Sequence, residues 1–125
     1  MGYSEKSIWQ IIYETLKENG IDAREPANKL GECKNPYVVV KYGGGTRYLN
    51  YSSQRDYYDF YCYVPKNKYS YLAEYEYLVK SVLDRPPLYP MIMPTGSSEN
   101  DYYDDNLNAH LRIFTYYNNK RNRHL

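Results

Sequence analysis

The residues best equipped for chemistry in this chain are few, and their spacing suits none of the common reactions. Both histidines, His110 and His124, lie near the C-terminus. Neither has a serine or cysteine beside it in sequence to activate, so both are expected to be solvated. Cys33 and Cys62 are two thiols at long spacing, which indicates neither a disulfide framework nor a zinc site. Free, buried or half-buried thiols in a reducing cytoplasm are the expectation. Glu99, Asp101, Asp104 and Asp105 share one hydrophilic stretch, but a calcium loop needs carboxylates on alternate positions around a central glycine. The acidic pairs Glu74/Glu76 and Asp104/Asp105 read as solvated faces, whereas general acid–base work needs burial to shift a carboxyl. Gly43-Gly44-Gly45 is followed by neither Gly-Lys-Ser/Thr nor a helix start, so it reads as a flexible hairpin tip and not as a phosphate cradle. Catalysis, a cofactor and a metal are therefore not expected.

Tyrosine is the anomaly. The chain of 125 residues has 19 of them, against 2 Phe and 1 Trp. A phenol offers a large apolar body and a hydroxyl that wants water or a partner. It suits surfaces that become buried on assembly better than a sealed core. A codon bias toward A/T-rich triplets would enrich tyrosine too, and the two causes can coexist. Lys41, Arg47, Arg55, Lys66 and Lys68 lie among the tyrosines, as in a single-strand stacking platform, but Asp56, Asp59, Glu74 and Glu76 interrupt the positive charge. The formal net charge of +1 gives no long-range field for a polyanion.

The elements that would position these residues centre on 56–85. Residues 56–64 alternate with period two, sending Tyr58, Phe60, Cys62 and Val64 one way and Tyr57, Asp59, Tyr61 and Tyr63 the other. Pro65 ends that strand. Asn67 or Ser70 then caps a helix whose apolar face is Leu72, Tyr75, Val79, Val82 and Leu83, and Pro86-Pro87 ends it. Earlier, residues 4–19 read as a helix capped by Ser4 or Ser7. Its stripe is Ile8, Ile11, Ile12, Thr15 and Leu16, widened by Trp9 and Tyr13, and Gly20 is its left-handed terminator. Residues 22–35 read as an extended connection with room for one short strand, and 36–42 as a valine-rich strand that the glycines break. Residues 46–55 are either the return arm of a hairpin or a loop. Met91-Ile92-Met93 lies between Pro90 and Pro94 as a short edge strand, and 96–106 as a loop. In the last strand, 107–117, Leu107, Ala109, Leu111, Ile113 and Thr115 are expected to face inward and His110, Arg112, Phe114 and Tyr116 outward. The basic segment 118–125 is expected to be a mobile tail.

Together these predict a single α+β domain over 1–125. It is a two-layer sandwich with a mainly antiparallel sheet of about four strands and two helices on one face. The uncovered face would show Tyr57, Tyr61, Tyr63, Phe114 and Tyr116, an aromatic surface large enough to need a partner. With Arg47, Tyr48 and Tyr51 from the glycine-tipped loop, these are the candidate subunit-interface residues. No apolar run approaches the roughly 20 residues that span a bilayer, and the N-terminus reads as lacking a signal-peptide pattern.

Several segments in this order resemble a known family: Ser-Ile-Trp-Gln (7–10), Leu-Lys-Glu-Asn-Gly-Ile (16–21), Gly-Glu-Cys-Lys-Asn-Pro-Tyr-Val-Val-Val-Lys (31–41), Tyr-Tyr-Asp-Phe-Tyr-Cys-Tyr-Val-Pro-Lys-Asn-Lys-Tyr-Ser (57–70), Pro-Met-Ile-Met-Pro-Thr-Gly (90–96) and Tyr-Asp-Asp-Asn-Leu-Asn-Ala-His (103–110). The chain is similar along nearly its whole length to the small tail-completion proteins of long-tailed phages, the tail-terminator and head–tail joining group. The resemblance implies a virion protein, assembled in the bacterial host cytoplasm, with no enzymatic activity and no cofactor. It implies a ring, usually of six subunits, that caps the major tail tube protein, meets the head–tail connector and lets DNA pass without specific binding. No membrane partner is implied. A monomeric host-directed inhibitor encoded by the same phage is the alternative, followed by a single-strand nucleic-acid binder.

Overall fold

The computed structural model describes residues 7–26, 31–47, 53–98 and 100–121. The fold is α+β: a mixed, open six-stranded sheet with two α-helices. Helix α1 spans Ile8–Glu18 and α2 Leu72–Leu83; the strands are β1 Ala23–Arg24, β2 Tyr37–Arg47, β3 Ser53–Pro65, β4 Met93–Ser98, β5 Tyr102–Asp104 and β6 Ala109–Arg121. Their order across the sheet is β1-β2-β3-β6-β4, and β5 pairs with β6 farther along the edge that β4 occupies. Among the described residues only β1 and β2 run parallel. The sheet exceeds the expected four or so strands by two short ones: β1 lies in the connection that had room for one short strand, and β5 inside a stretch that reads as a loop.

Local chemistry accounts for α1. Ser7 Oγ accepts the Gln10 N–H at 3.1 Å, while the Gln10 side chain turns to Glu14, so only half of a capping box forms. At the other end Gly20, with φ of 80°, gives its N–H to Lys17 and Ile21 gives its own to Leu16. That pair of bonds is the Schellman terminator, and it needs a residue tolerant of the left-handed region. Entry to α2 differs from expectation. Neither Asn67 nor Ser70 caps it; after Pro65 the chain makes a 3-10 turn over Lys66–Tyr71 that runs into the helix without a side-chain cap.

The core lies between the helices and one sheet face. Ile12 and Leu16 from α1 and Leu72, Tyr75, Val79, Val82 and Leu83 from α2 meet Val38, Val40, Tyr58, Phe60, Cys62, Val64, Phe114 and Tyr116. Leu88 and Ile92, from the turn after α2, close it. Phe60 stacks on Phe114 at 5.3 Å and meets Tyr116 edge-on at 5.7 Å. The faces of β6 are thus the reverse of those expected: Phe114 and Tyr116 point to the helices, and Ala109, Leu111 and Ile113 away. Pairing explains it, since Phe60 lies opposite Phe114 and Tyr58 opposite Tyr116, and directly opposed residues share a face. A one-residue change of register would invert the assignment.

Two further expectations change. The glycines do not break β2, which continues through them to Arg47 with a register shift between Tyr42 and Gly44. Residues from Ser53 are the return arm of that hairpin. A Cβ at Gly43 would meet the Asp59 carboxylate at 2.8 Å and one at Gly45 the Asp56 carboxylate at 2.7 Å, so a side chain at either position would have to push that carboxylate aside. At the C-terminal end, Asn118–Arg121 belong to β6 and pair with β3 rather than forming part of a tail. Residues 122–125 lie outside the described residues.

Candidate functional site

The sheet face turned away from the helices is the place to look for an interaction. Half of it is closed. Tyr37, Val39, Tyr63, Ala109 and Leu111 form a second, smaller cluster, covered by Cys33 and Leu107 from flanking segments. The Cys33 N–H donates to the Leu107 carbonyl at 2.8 Å, tying those two segments together across the strands. Tyr63 stacks on Tyr37 at 5.0 Å, and burial pushes the Tyr37 phenol up to about 12. Both cysteines are free and buried, and burial raises both thiols. The uncovered face is therefore not the plain second side of a two-layer sandwich.

The rest of the face stays half-open. Tyr61 lies opposite Ile113, Asp59 opposite Thr115, and Tyr57 opposite Tyr117. All six are partly buried, so their rings and chains lie against one another and still present a surface. Thr115 Oγ1 donates to Asp59 at 2.7 Å. The Arg55 guanidinium lies 4.1 Å above the Tyr117 ring and donates to Asn119 at 3.3 Å. Tyr102, opposite Leu111, extends the aromatic surface and is exposed.

Of the residues expected at a subunit interface, Tyr57 and Tyr61 are on this open region. Tyr63 is buried in the second cluster at 3% exposure, and Phe114 and Tyr116 are inside the helix-covered core at 3% and 1%, so none of these three can line a surface of the folded chain. Arg47 ends β2. Tyr48 and Tyr51 lie outside the described residues. The residues missed are Tyr117 and Tyr102, and Arg55, singled out only as a cation among the tyrosines, joins them through its contact with the Tyr117 ring. Tyr117 shares the parity of Ile113 and Thr115, and would have been placed here had the phase of β6 been known.

A polar cluster at the opposite end of the sheet also departs from expectation. His110 is not simply solvated: its ring lies edge-on between Tyr69 and Tyr103 at 4.8 and 5.0 Å, and Nε2 is 3.2 Å from the Lys66 carbonyl oxygen. Arg112 forks between Asp101, at 2.6 and 3.1 Å, and Glu76, at 2.8 Å, and Lys80 reaches Glu76 at 2.7 Å. Tyr69 donates its hydroxyl to Asp101 at 2.5 Å. Hydrogen bonds from Arg112 hold the Asp101 carboxyl below its ordinary value. Burial works to raise Glu76, but Arg112 and Lys80 outweigh it and hold that carboxyl low too. Glu76 is thus part of a network and not of a solvated acidic face, whereas Glu74 is exposed. Among the described residues no three His, Cys, Asp or Glu side chains converge as metal ligands would. No helix among them is long and apolar enough to cross a membrane. No protein-family model matches the chain, and no curated protein matches it.

Proposed function

We propose that this chain is a non-catalytic virion protein of the tail-completion type. Copies of it close into a ring, six by the resemblance, that caps the tail tube and joins it to the head connector, with DNA passing through the lumen. One observation carries the reading. Tyr57 lies opposite Tyr117, and Tyr61 shares their sheet face, which no helix or loop among the described residues covers. Aromatic area of this kind is what a neighbouring copy would bury. The likeness of segments along the chain to that family supports the same reading.

Sedimentation velocity across a concentration series, with and without the tail tube protein, tests it, with electron microscopy of the assembled fraction. Closed annular particles are expected. A monomer under every condition rejects the proposal. A second reading, binding of single-stranded nucleic acid, draws on the Arg55–Tyr117 stack beside Tyr57. It predicts affinity falling steeply with salt, and absence of binding at low salt ends it.

A further inference from the structure

Helix α2 buries one side and turns the other away from the sheet. Leu72, Tyr75, Val79 and Val82 are in the core, whereas Ala73, Glu74, Tyr77 and Leu78 are exposed. Tyr77 is 75% exposed, the most of any large apolar side chain described. Glu74 precedes Tyr77 by three residues and Leu78 by four, so its carboxylate stands between them on one stripe. Among the described residues no ion pair engages Glu74, in contrast to Glu76, which Arg112 and Lys80 hold.

The open region of the opposite sheet face has a matching layout. Lys41, Asp59 and Thr115 form one row across β2, β3 and β6. The Tyr61–Ile113 row lies on one side of it and the Tyr57–Tyr117 row on the other. Asp59 is partly buried and accepts the Thr115 hydroxyl, while Lys41 is exposed. The charge standing clear in the middle of this surface is therefore the Lys41 ammonium. The segments carrying Cys33 and Leu107 lie over the adjoining half of the face and bound the open rows on that side. A helix about 10 Å across covers two strand spacings of about 4.8 Å, the width from β2 to β6.

We infer that the outer face of α2 in one copy packs on the open tyrosine face of the next. Tyr77 and Leu78 lie among Tyr57, Tyr61 and Tyr117, and the Glu74 carboxylate meets the Lys41 ammonium. The two surfaces belong to one chain and carry opposite central charges, which makes a second copy the fitting occupant. The inference rests on the ring reading and specifies its contact. Helix α2 and the open face lie on opposite sides of the sheet, so the contact joins two different surfaces, as head-to-tail closure requires. It also gives the second sheet face the helix cover that the first already has.

Sedimentation velocity of the full-length chain from micromolar to millimolar, with and without the tail tube protein, tests the contact, and urea unfolding controls for folding. Tyr77→Ala should weaken assembly at least about tenfold and leave the unfolding midpoint unchanged, because its ring is exposed in the single copy. Lys41→Glu and Glu74→Lys, both at exposed positions, should each weaken assembly roughly tenfold, and the double variant should recover it. Single variants that assemble as wild type overturn this contact and leave the ring standing, and so does a Lys41→Glu loss that Glu74→Lys fails to mend. A wild type that remains monomeric throughout rejects the ring and the contact together.

Discussion

The two faces of the sheet use the same residue type to opposite ends. On the helix side Tyr58 and Tyr116 are sealed in the core, where burial pushes the Tyr58 phenol up to about 12 and raises that of Tyr116 as well. Tyr116 still satisfies its hydroxyl, donating to Asp84 at 2.6 Å. On the other side Tyr57, Tyr61 and Tyr117 are only partly buried and keep access to water. Abundant tyrosine therefore does not by itself mark a surface. What separates the two groups is whether another segment lies above the strand: the helices cover Tyr58 and Tyr116, the segments of Cys33 and Leu107 cover Tyr37 and Tyr63 on the other face, and consecutive residues of one strand, Phe60 and Tyr61, fall on opposite faces.

Truncating that pair tests the comparison most severely. Phe60→Ala should lower unfolding free energy by about 3–5 kcal/mol in urea titration, because it opens a cavity beneath Phe114 and Tyr116. Tyr61→Ala should cost less than half as much while weakening self-association. Equal costs would mean that the second face is as much a core as the first. Tyr116→Phe comes next, with an expected loss of about 1–2 kcal/mol from the hydroxyl bond to Asp84.

A smaller effect belongs to the Arg112 network, on the helix-side parity of β6. Asp101 and Glu76 have lowered folded-state values, so the stability they contribute is fully present above the unfolded carboxylate range of about 4 and is lost as pH falls through the folded values. Arg112→Gln should remove about 1 kcal/mol at neutral pH and flatten the acid limb of the stability curve. An unchanged acid limb would show that the ion pairs do not carry it. The smallest effect is expected for Tyr75→Phe. Its hydroxyl is buried and finds no hydrogen-bond partner among the described residues, so removal should be neutral or stabilising by a few tenths of a kcal/mol. A loss above about 1 kcal/mol would reveal a partner for that hydroxyl.

The pattern of residues made much of the helix-side core legible. The apolar face of α2 is buried as expected, and so is the inward series Tyr58, Phe60, Cys62 and Val64. The outward prediction for Phe114 and Tyr116 failed for a definite reason. Both parities of β6 are apolar, with Ala109, Leu111 and Ile113 on one and Phe114 and Tyr116 on the other, so periodicity could not say which of them meets the helices. Strand β5 was hidden, and β1 could be offered only as one short strand somewhere in 22–35, because two- and three-residue strands have no period to detect.

Amino-acid order alone determined where α1 begins and ends, through Ser7 and Gly20, that α2 ends before Pro86-Pro87, and which side of each helix is apolar, because these depend on neighbours within a few residues. Only the tertiary structure decided which tyrosines are core and which are surface, that the glycines continue a strand against Asp56 and Asp59, and that His110 sits between two phenol rings. Those outcomes depend on pairing between residues far apart in the chain, such as Phe60 with Phe114, and a shift of one position there exchanges the two faces of the sheet.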